Sequence, residues 1–329
     1  MLTAVGDAVH VLPVANAIKR HDPRSHVTWV LQPGPATLVR GHPSIDELVL
    51  LDRARGWRAF LDVRRALHER EFDVVLALQD YLKAGVITSF ARAPVRLGYD
   101  RARARDLNWL FTNRQIPSHA RQHVQDEYLE FVGALGIPTE PIEWNLGPWP
   151  QERGWQREFL ARYDRPIAVL VIGSSRAEKD WVAERWVEVA DVLYADYGLQ
   201  PVLAGARSPR EEQTERVILE RARHKPYSAL NSGLRRLVSI LDAASLVVSL
   251  DTGPLHMAVA LNRPVISLLG FSNPRRTGPY RKFHDLVVSA YGAEWRDGRL
   301  ATDRRPGRMR TIQVADVVAK IERWRQCYR

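Results

Sequence analysis

At 329 residues the chain is long enough for two domains that each bury a core, and 45% hydrophobic with 26% charged residues is the balance of a soluble globular protein. The lone cysteine, Cys327, excludes an internal disulfide framework or a cysteine-built metal site and fits a reducing compartment; no apolar stretch approaches the roughly 20 residues that span a bilayer, and Asp7 interrupts what would be a signal peptide, so a cytoplasmic protein is expected. A formal charge of +10 is accounted for by nucleic acid, an anionic membrane surface or a phosphorylated substrate as partner, and the lack of a Cys/His finger or an RNP-like aromatic pattern argues against nucleic acid.

The first half alternates helix and strand patterns. Gly6-Asp7-Ala8-Val9-His10 precedes an amphipathic helix predicted over 8–20, with Gly6 making the turn and Asp7 available as its cap. Strands follow at 27–31 and 45–51, an Arg-rich helix at 55–70, a strand at 72–78, a helix at 80–91 and a short strand at 95–97. Residues 102–110 are poorly periodic, and a helix at 123–135 is stopped by Gly136 and Pro138. This order predicts a parallel sheet. Between Arg53 and Arg121 there are 14 Lys/Arg against 7 Asp/Glu, so +7 of the net charge comes from that window. For any single arginine there, a solvated helix face is the default reading.

Residues 141–151, with three prolines, a glycine and two tryptophans, read as a connection between a first domain, 1–148, and a second, 149–329. The second half repeats the alternation: a strand at 166–172, a helix at 183–197, a strand at 201–204, and helices at 210–223 and 234–242. Leu246 to Leu250 is an apolar run suited to a buried parallel strand. Asp251-Thr252-Gly253-Pro254 breaks it, a helix runs over 255–261, a strand over 265–269, and turn-formers fill 270–278. A last helix spans 311–325.

The turn at 251–254 has the makings of an anion site, because a strand-to-helix junction offers backbone N–H groups and a positive dipole end. An ordinary capped β-turn-α unit explains it equally well. The loop Gly173 to Trp181 also follows a strand: Ser174 and Ser175 let a backbone approach a phosphate closely, and Lys179 adds a point charge, while a plain surface loop is the alternative. Glu211 or Glu212 opens a helix, where a carboxylate favours the dipole. No Asp-x-Asp pair of the kind that chelates a metal–nucleotide complex occurs, and no G-x-G-x-x-G follows a strand, which argues against an NAD-dependent enzyme.

DTGPLHMAVAL at 251–261 followed by PVISLLGFSNPRRTGP at 264–279 resembles the signature of the family 9 glycosyltransferases, the lipopolysaccharide heptosyltransferases; AVGDAVHVLP at 4–13 resembles the family's other signature. The resemblance covers essentially the whole chain. It implies a GT-B architecture, two Rossmann-like parallel-sheet α/β domains facing a cleft, with acceptor bound by the first and nucleotide-sugar by the second. The implied reaction is inverting, metal-independent and cofactor-free: heptose moves from ADP-heptose to the Kdo-containing inner core of lipopolysaccharide, with peripheral contact at the anionic inner face of the cytoplasmic membrane.

By the same resemblance Asp7 is the general base and Lys179 stabilises the leaving group. Ser174, Ser175, Lys179, Thr252 and Gly253 hold the pyrophosphate, Glu211 the ribose and Asp251 the sugar hydroxyls. His256 is either a donor contact or a core histidine. His10, Arg58, Arg64, Arg65, Arg96, Arg114 and His123 are candidate contacts to an anionic acceptor. One departure stands out. The family begins with an apolar strand before the GDxxH-like turn, whereas Met1 to Ala4 is already turn, so the strand in the middle of the first sheet is expected to be missing and its neighbours' edges exposed, through an upstream start or a truncation. That motivates an alternative, a nucleotide-sugar-binding protein without catalysis.

Overall fold

A computed structural model of the chain describes residues 4–292 and 300–329. Contacts divide it into two compact units, one ending at Asn145 and one spanning Leu146–Arg329.

The second unit is built on six parallel strands: β6 (Ile167–Val171), β7 (Gln200–Ala204), β8 (Tyr227–Ser228), β9 (Leu246–Leu250), β10 (Val265–Leu269) and β11 (Val287–Ser289). Their spatial order is β11-β10-β9-β6-β7-β8. Numbered within the unit this is 3-2-1-4-5-6 read from the β8 edge, the doubly wound order, with its reversal between β6 and β9. The sequences IAVLV, LVVSL and VISLL of β6, β9 and β10 are buried at every residue, as strands covered on both faces must be. Around them lie α6 (Pro150–Leu160), α7 (Ala183–Ala195), α8 (Pro209–Arg221), α9 (Leu234–Asp242), α10 (Gly253–Ala260), the short α11 (Pro274–Thr277) and α12 (Val314–Cys327). The indole of Trp324 on α12 is fully buried and donates to the Ser245 carbonyl at 3.1 Å, fastening the last helix to the start of β9.

The first unit holds α1 (Val5–His21), β1 (Thr28–Leu31), α2 (Pro33–Val39), β2 (Glu47–Leu50), α3 (Trp57–His68), β3 (Val74–Leu76), α4 (Leu82–Thr88), β4 (Val95–Gly98), β5 (Arg114–Gln115) and α5 (Val124–Gly133). β1 pairs in parallel with β2, and β3 with β4 and β4 with β5. Among the described residues no strand pairs with the second edge of β1 or of β3. A cavity of about 630 Å³ is lined by these two strands, by Val11, Val14 and Ile18 of α1 and by Ile87 of α4.

Several local expectations give way. α1 is not amphipathic: residues 8–17 are all buried, and Pro13 is accommodated inside it. It also starts three residues early, so Asp7 lies within the first turn instead of capping from outside, and the N-cap position is Ala4. Pro33-Gly34-Pro35, turn-formers by type, open α2, because a proline in a helix's first turn loses no hydrogen bond. For the same reason Pro150 opens α6 instead of continuing the connection at 141–151. α3 is shorter than the Arg-rich pattern, with a 3₁₀ turn at Arg53–Arg55 before it; it buries Ala59, Val63 and Leu67 against Val49, Leu51, Ala84 and Ile87.

Candidate functional site

Open α/β sheets bind ligands beyond the carboxyl ends of the strands where the order reverses. In the second unit that point lies between β6, which runs into Gly173-Ser174-Ser175, and β9, which runs into Asp251. Sidechains 72 residues apart in sequence meet there. Lys179 Nζ lies 2.8 Å from Asp251 Oδ2 and donates to the Asp251 carbonyl at 3.0 Å. The Thr277 hydroxyl approaches the same carboxylate oxygen at 3.4 Å. The pair is well shielded, with side-chain exposures of 18% for Lys179 and 6% for Asp251. The Phe271 ring centroid lies 5.9 Å from the ammonium. Two of the ammonium's three N–H groups suffice for these Asp251 contacts, which leaves one for a ligand.

Immediately after Asp251 the chain enters α10. Thr252 occupies the N-cap position without a side-chain cap bond, and Pro254 sits in the first turn. The turn therefore presents the Gly253 N–H and the positive end of the helix, with Pro254 contributing no donor. His256 on α10 is buried.

The loop after β6 is internally organised. The Ser174 hydroxyl donates to the Arg176 carbonyl at 2.7 Å and lies 2.8 Å from Asp180 Oδ1, while Ser175 is exposed. Arg210 pairs with the other oxygen of Asp180 and donates to the Ser174 carbonyl. Burial pushes the Asp180 carboxyl above its usual range, against the opposing pull of the Ser174 bond and the Arg210 charge. Glu211 is 5% exposed and belongs to a capping box: its Oε1 accepts from the Ala206 N–H at 2.9 Å, and its Oε2 from the Ser208 N–H at 2.9 Å and hydroxyl at 2.6 Å. Gly173 and Gly205 make room for it, since a Cβ at Gly173 would fall 2.1 Å from Glu211 Cγ and one at Gly205 2.6 Å from Oε1. Glu212 is exposed and pairs with Arg207 instead.

In the first unit α1 packs along α5. Asp7 is half-buried, with the Tyr128 hydroxyl 3.5 Å from its Oδ1. His10 Nδ1 lies 3.1 Å from Gln125 Oε1, and the Gln125 amide donates back to the His10 carbonyl at 2.7 Å. His123 stands edge-on to His10 and its Nδ1 caps α5 by accepting from the Gln125 N–H. His10, buried, and His123, half-buried, thus form one set near Asp7, whereas the arginines do not join it. Arg58, Arg64 and Arg65 lie on the exposed face of α3; Arg96 lies inside β4 and Arg114 opens β5, so neither stands at a strand's carboxyl end.

Tyr128 and Gln125 escape a sequence reading because both look like ordinary members of an amphipathic helix. So does a buried ion cluster at the carboxyl end of β4: Arg103, 4% exposed, holds Asp100 and pairs with Glu130 at 2.6 Å, while Arg121 approaches Glu127 at 3.4 Å and Asp80 at 3.7 Å. Among the described residues no group of three or more His, Cys, Asp or Glu is arranged to hold a metal, and no helix is long and apolar enough to cross a membrane.

A doubly wound sheet with an ammonium, a carboxylate and a helix amino end gathered at its switch point is the apparatus of a nucleotide-binding α/β protein. The sequence pattern of glycosyltransferase family 9 (heptosyltransferase) matches residues 60–299, and the chain belongs to that family of glycosyltransferases. The lipopolysaccharide core heptosyltransferase OpsX of Haemophilus influenzae is 30% identical over 291 residues, covering 88% of this chain and 83% of its own. Among solved structures, the glycosyl transferase family 9 from Veillonella parvula superposes with a TM-score of 0.82 at 22% identity, covering 98% of this chain and 95% of that one. The E. coli heptosyltransferase WaaC with ADP-2-deoxy-2-fluoro heptose superposes at 0.73 with 23% identity, covering 98% and 99%. The fold is accordingly GT-B, with a Rossmann-like α/β arrangement in each unit.

Proposed function

We propose that the chain transfers heptose from ADP-heptose to the Kdo-containing inner core of lipopolysaccharide, with the first unit receiving the acceptor and the second the donor. The observation that carries this reading is the Lys179–Asp251 pair at the β6/β9 switch point, beside the amino end of α10. One unused ammonium N–H, the Gly253 N–H and the helix dipole suit a diphosphate. The Asp251 carboxylate suits sugar hydroxyls, and Glu211, rigidly set by its capping box, presents lone pairs to a ribose. The names of the relatives, lipopolysaccharide core heptosyltransferase and a heptosyltransferase with an ADP-heptose analogue, support the sugar and the nucleotide.

The reaction then runs as one displacement. An acceptor hydroxyl attacks the anomeric carbon, its proton passes to the Asp7 carboxylate, and the bond from that carbon to the β-phosphate oxygen breaks with inversion. ADP leaves with the charge that Lys179 and the α10 amino end stabilise. Tyr128 orients Asp7 through its hydroxyl. Arg58, Arg64, Arg65, Arg96, Arg114, His10 and His123 are the groups offered to the acid groups of the acceptor, and a lipid-linked acceptor brings the protein to a membrane surface. No metal or cofactor enters the scheme.

A donor screen tests the reading. Titration calorimetry should show ADP bound more tightly than UDP or GDP, and mass spectrometry should show a single heptose added to Kdo-lipid A from ADP-heptose only. Preference for UDP or GDP, or transfer of another sugar from ADP, would overturn it.

A further inference from the structure

Arg210 stands where a helix disfavours a cation. It is the second residue of α8, after the Ser208 cap and Pro209, and a positive charge in a helix's first turn opposes the dipole. Its guanidinium serves the loop after β6 instead. One terminal nitrogen pairs with Asp180 Oδ2, and the other donates to the Ser174 carbonyl at 3.0 Å. Ser174 and Asp180 bracket the segment that carries Lys179.

Between them the loop closes on itself. The Ser174 hydroxyl donates to the Arg176 carbonyl at 2.7 Å, and the Lys179 N–H donates to the same carbonyl at 3.0 Å. The Asp180 N–H donates to the Ala177 carbonyl at 3.1 Å, completing the 3₁₀ turn at Ala177–Lys179. A turn this short, with Ser175, Arg176, Ala177 and Glu178 all exposed, buries no core that would hold it in place. It depends on its anchors. On one side Trp181, 4% exposed, donates its indole N–H to the Ile312 carbonyl at 3.1 Å. On the other, Arg210 ties both ends of the segment to α8. Lys179 is thus held from two directions, its ammonium by Asp251 and its backbone by this turn. The ammonium contact alone is a loose fixture, because a flexible four-carbon stem separates it from the backbone.

We infer that Arg210 is a positioning residue for the diphosphate end of the donor site: it clamps Ser174 and Asp180 so that Lys179 keeps its third N–H on the ligand. The inference rests on the proposed placement of the diphosphate at Lys179 and the α10 amino end. Both terminal nitrogens of the guanidinium are engaged by the loop, so Arg210 acts on the ligand through Lys179 and not by a contact of its own. Consecutive residues of α8 then serve the two parts of one nucleotide. Arg210 sets the grip on the diphosphate, while Glu211, seated against Gly173 and Gly205, is the group offered to the ribose.

The test is ADP binding by titration calorimetry in a double-mutant cycle of Arg210 and Lys179, at a temperature below every variant's melting midpoint. Lys179→Met should weaken ADP about ten- to a hundredfold, the range of a lost hydrogen bond to a charged group. Arg210→Met should weaken it about five- to tenfold, because the ammonium remains but is poorly placed. Lys179→Met/Arg210→Met should bind within about twofold of Lys179→Met alone, since no ammonium is left to position. Arg210→Lys keeps a charge for Asp180 without a second arm for the Ser174 carbonyl and should recover part of the loss. Asp180→Asn, which sets an N–H against the guanidinium, should lose as much as Arg210→Met. Arg210→Met should melt within about 3 °C of wild type, because the pair is partly exposed. Wild-type ADP affinity in Arg210→Met or in Asp180→Asn overturns the proposal. So does a loss in Arg210→Met that adds in full to that of Lys179→Met, which would give Arg210 its own contact to the diphosphate. Failure of the underlying reading shows differently: Lys179→Met itself would bind ADP as tightly as wild type, and the clamp would have no site to serve.

Discussion

Replacing Lys179 by Met removes the partner of a carboxylate that is 6% exposed. The ammonium leaves Asp251 Oδ2, 2.8 Å away, with the Thr277 hydroxyl at 3.4 Å as its other close donor. Breaking a fully buried pair costs 3–5 kcal/mol and an exposed one less than 1; because Lys179 reaches water while Asp251 hardly does, about 2–4 kcal/mol is expected. For a unit of this length each kcal/mol moves the midpoint by about 3 °C, so the second unit should melt about 6–12 °C lower. The double variant Lys179→Met/Asp251→Asn removes both charges and should regain more than half of that loss, which a thermodynamic cycle completed with Asp251→Asn reads as coupling of at least about 1 kcal/mol. ADP separates the functional role from the structural one: both variants should bind it more weakly than wild type, the double variant included, since neither supplies an ammonium to the diphosphate. Melting curves that coincide for wild type and Lys179→Met would refute the pairing argument. Unchanged ADP affinity in the stable double variant would refute the placement of the diphosphate.

Gly173→Ala should push Glu211 from its seat, break its bonds to the Ala206 and Ser208 N–H groups and cost about 2–4 kcal/mol in urea unfolding, whereas Glu211→Gln, which keeps the shape, should cost about half as much. Burial alone would raise the Asp242 carboxyl, but bonds from Gln156, Arg153 and Arg263 hold it below its usual range. Its stabilisation is therefore complete above an unfolded value of about 3.9 and lost as pH falls through the lower folded value. Asp242→Asn should melt lower than wild type at pH 7, with the gap closing towards pH 2. Amide exchange should be faster in β1 and β3, each paired along one edge among the described residues, than in β6 and β9, each paired along both.

The second unit was the more legible half. Gly253-Pro254 after an apolar run marks a strand-to-helix junction by local chemistry alone, and α10 begins there. Ser208-Pro209-Arg210-Glu211 even carries the spacing of a capping box, the cue that explains why Glu211 and not Glu212 turns inward. What local pattern cannot supply is partnership across distance. Nothing near Lys179 or Asp251 signals that they meet, because the contact is made by strand order, and strand order is set by crossovers. Asp7 misleads for the opposite reason: Gly-Asp looks like a turn and cap, yet residues 5–7 join a helix whose stability comes from burial of residues 8–17 and not from its cap. α2 and α6 hide behind prolines that look like punctuation and stand in first turns. The arginines show the limit of composition: their number is plain from the sequence, but only the packing of Ala59, Val63 and Leu67 decides that Arg58, Arg64 and Arg65 face out.

The central claim is that the chain joins a heptose to its acceptor with Asp7 as the base, and the rate of that single step measures it. Wild type and Asp7→Asn are each mixed at saturating ADP-heptose with Kdo-lipid A, and the heptosylated product is followed by mass spectrometry in a single turnover. The account predicts product with wild type, donor affinity in the variant within about twofold of it, and a transfer rate about 10²–10⁴-fold lower, as the loss of a general base requires. Transfer by Asp7→Asn at the wild-type rate, or binding of ADP-heptose by wild type with no product at all, would contradict it.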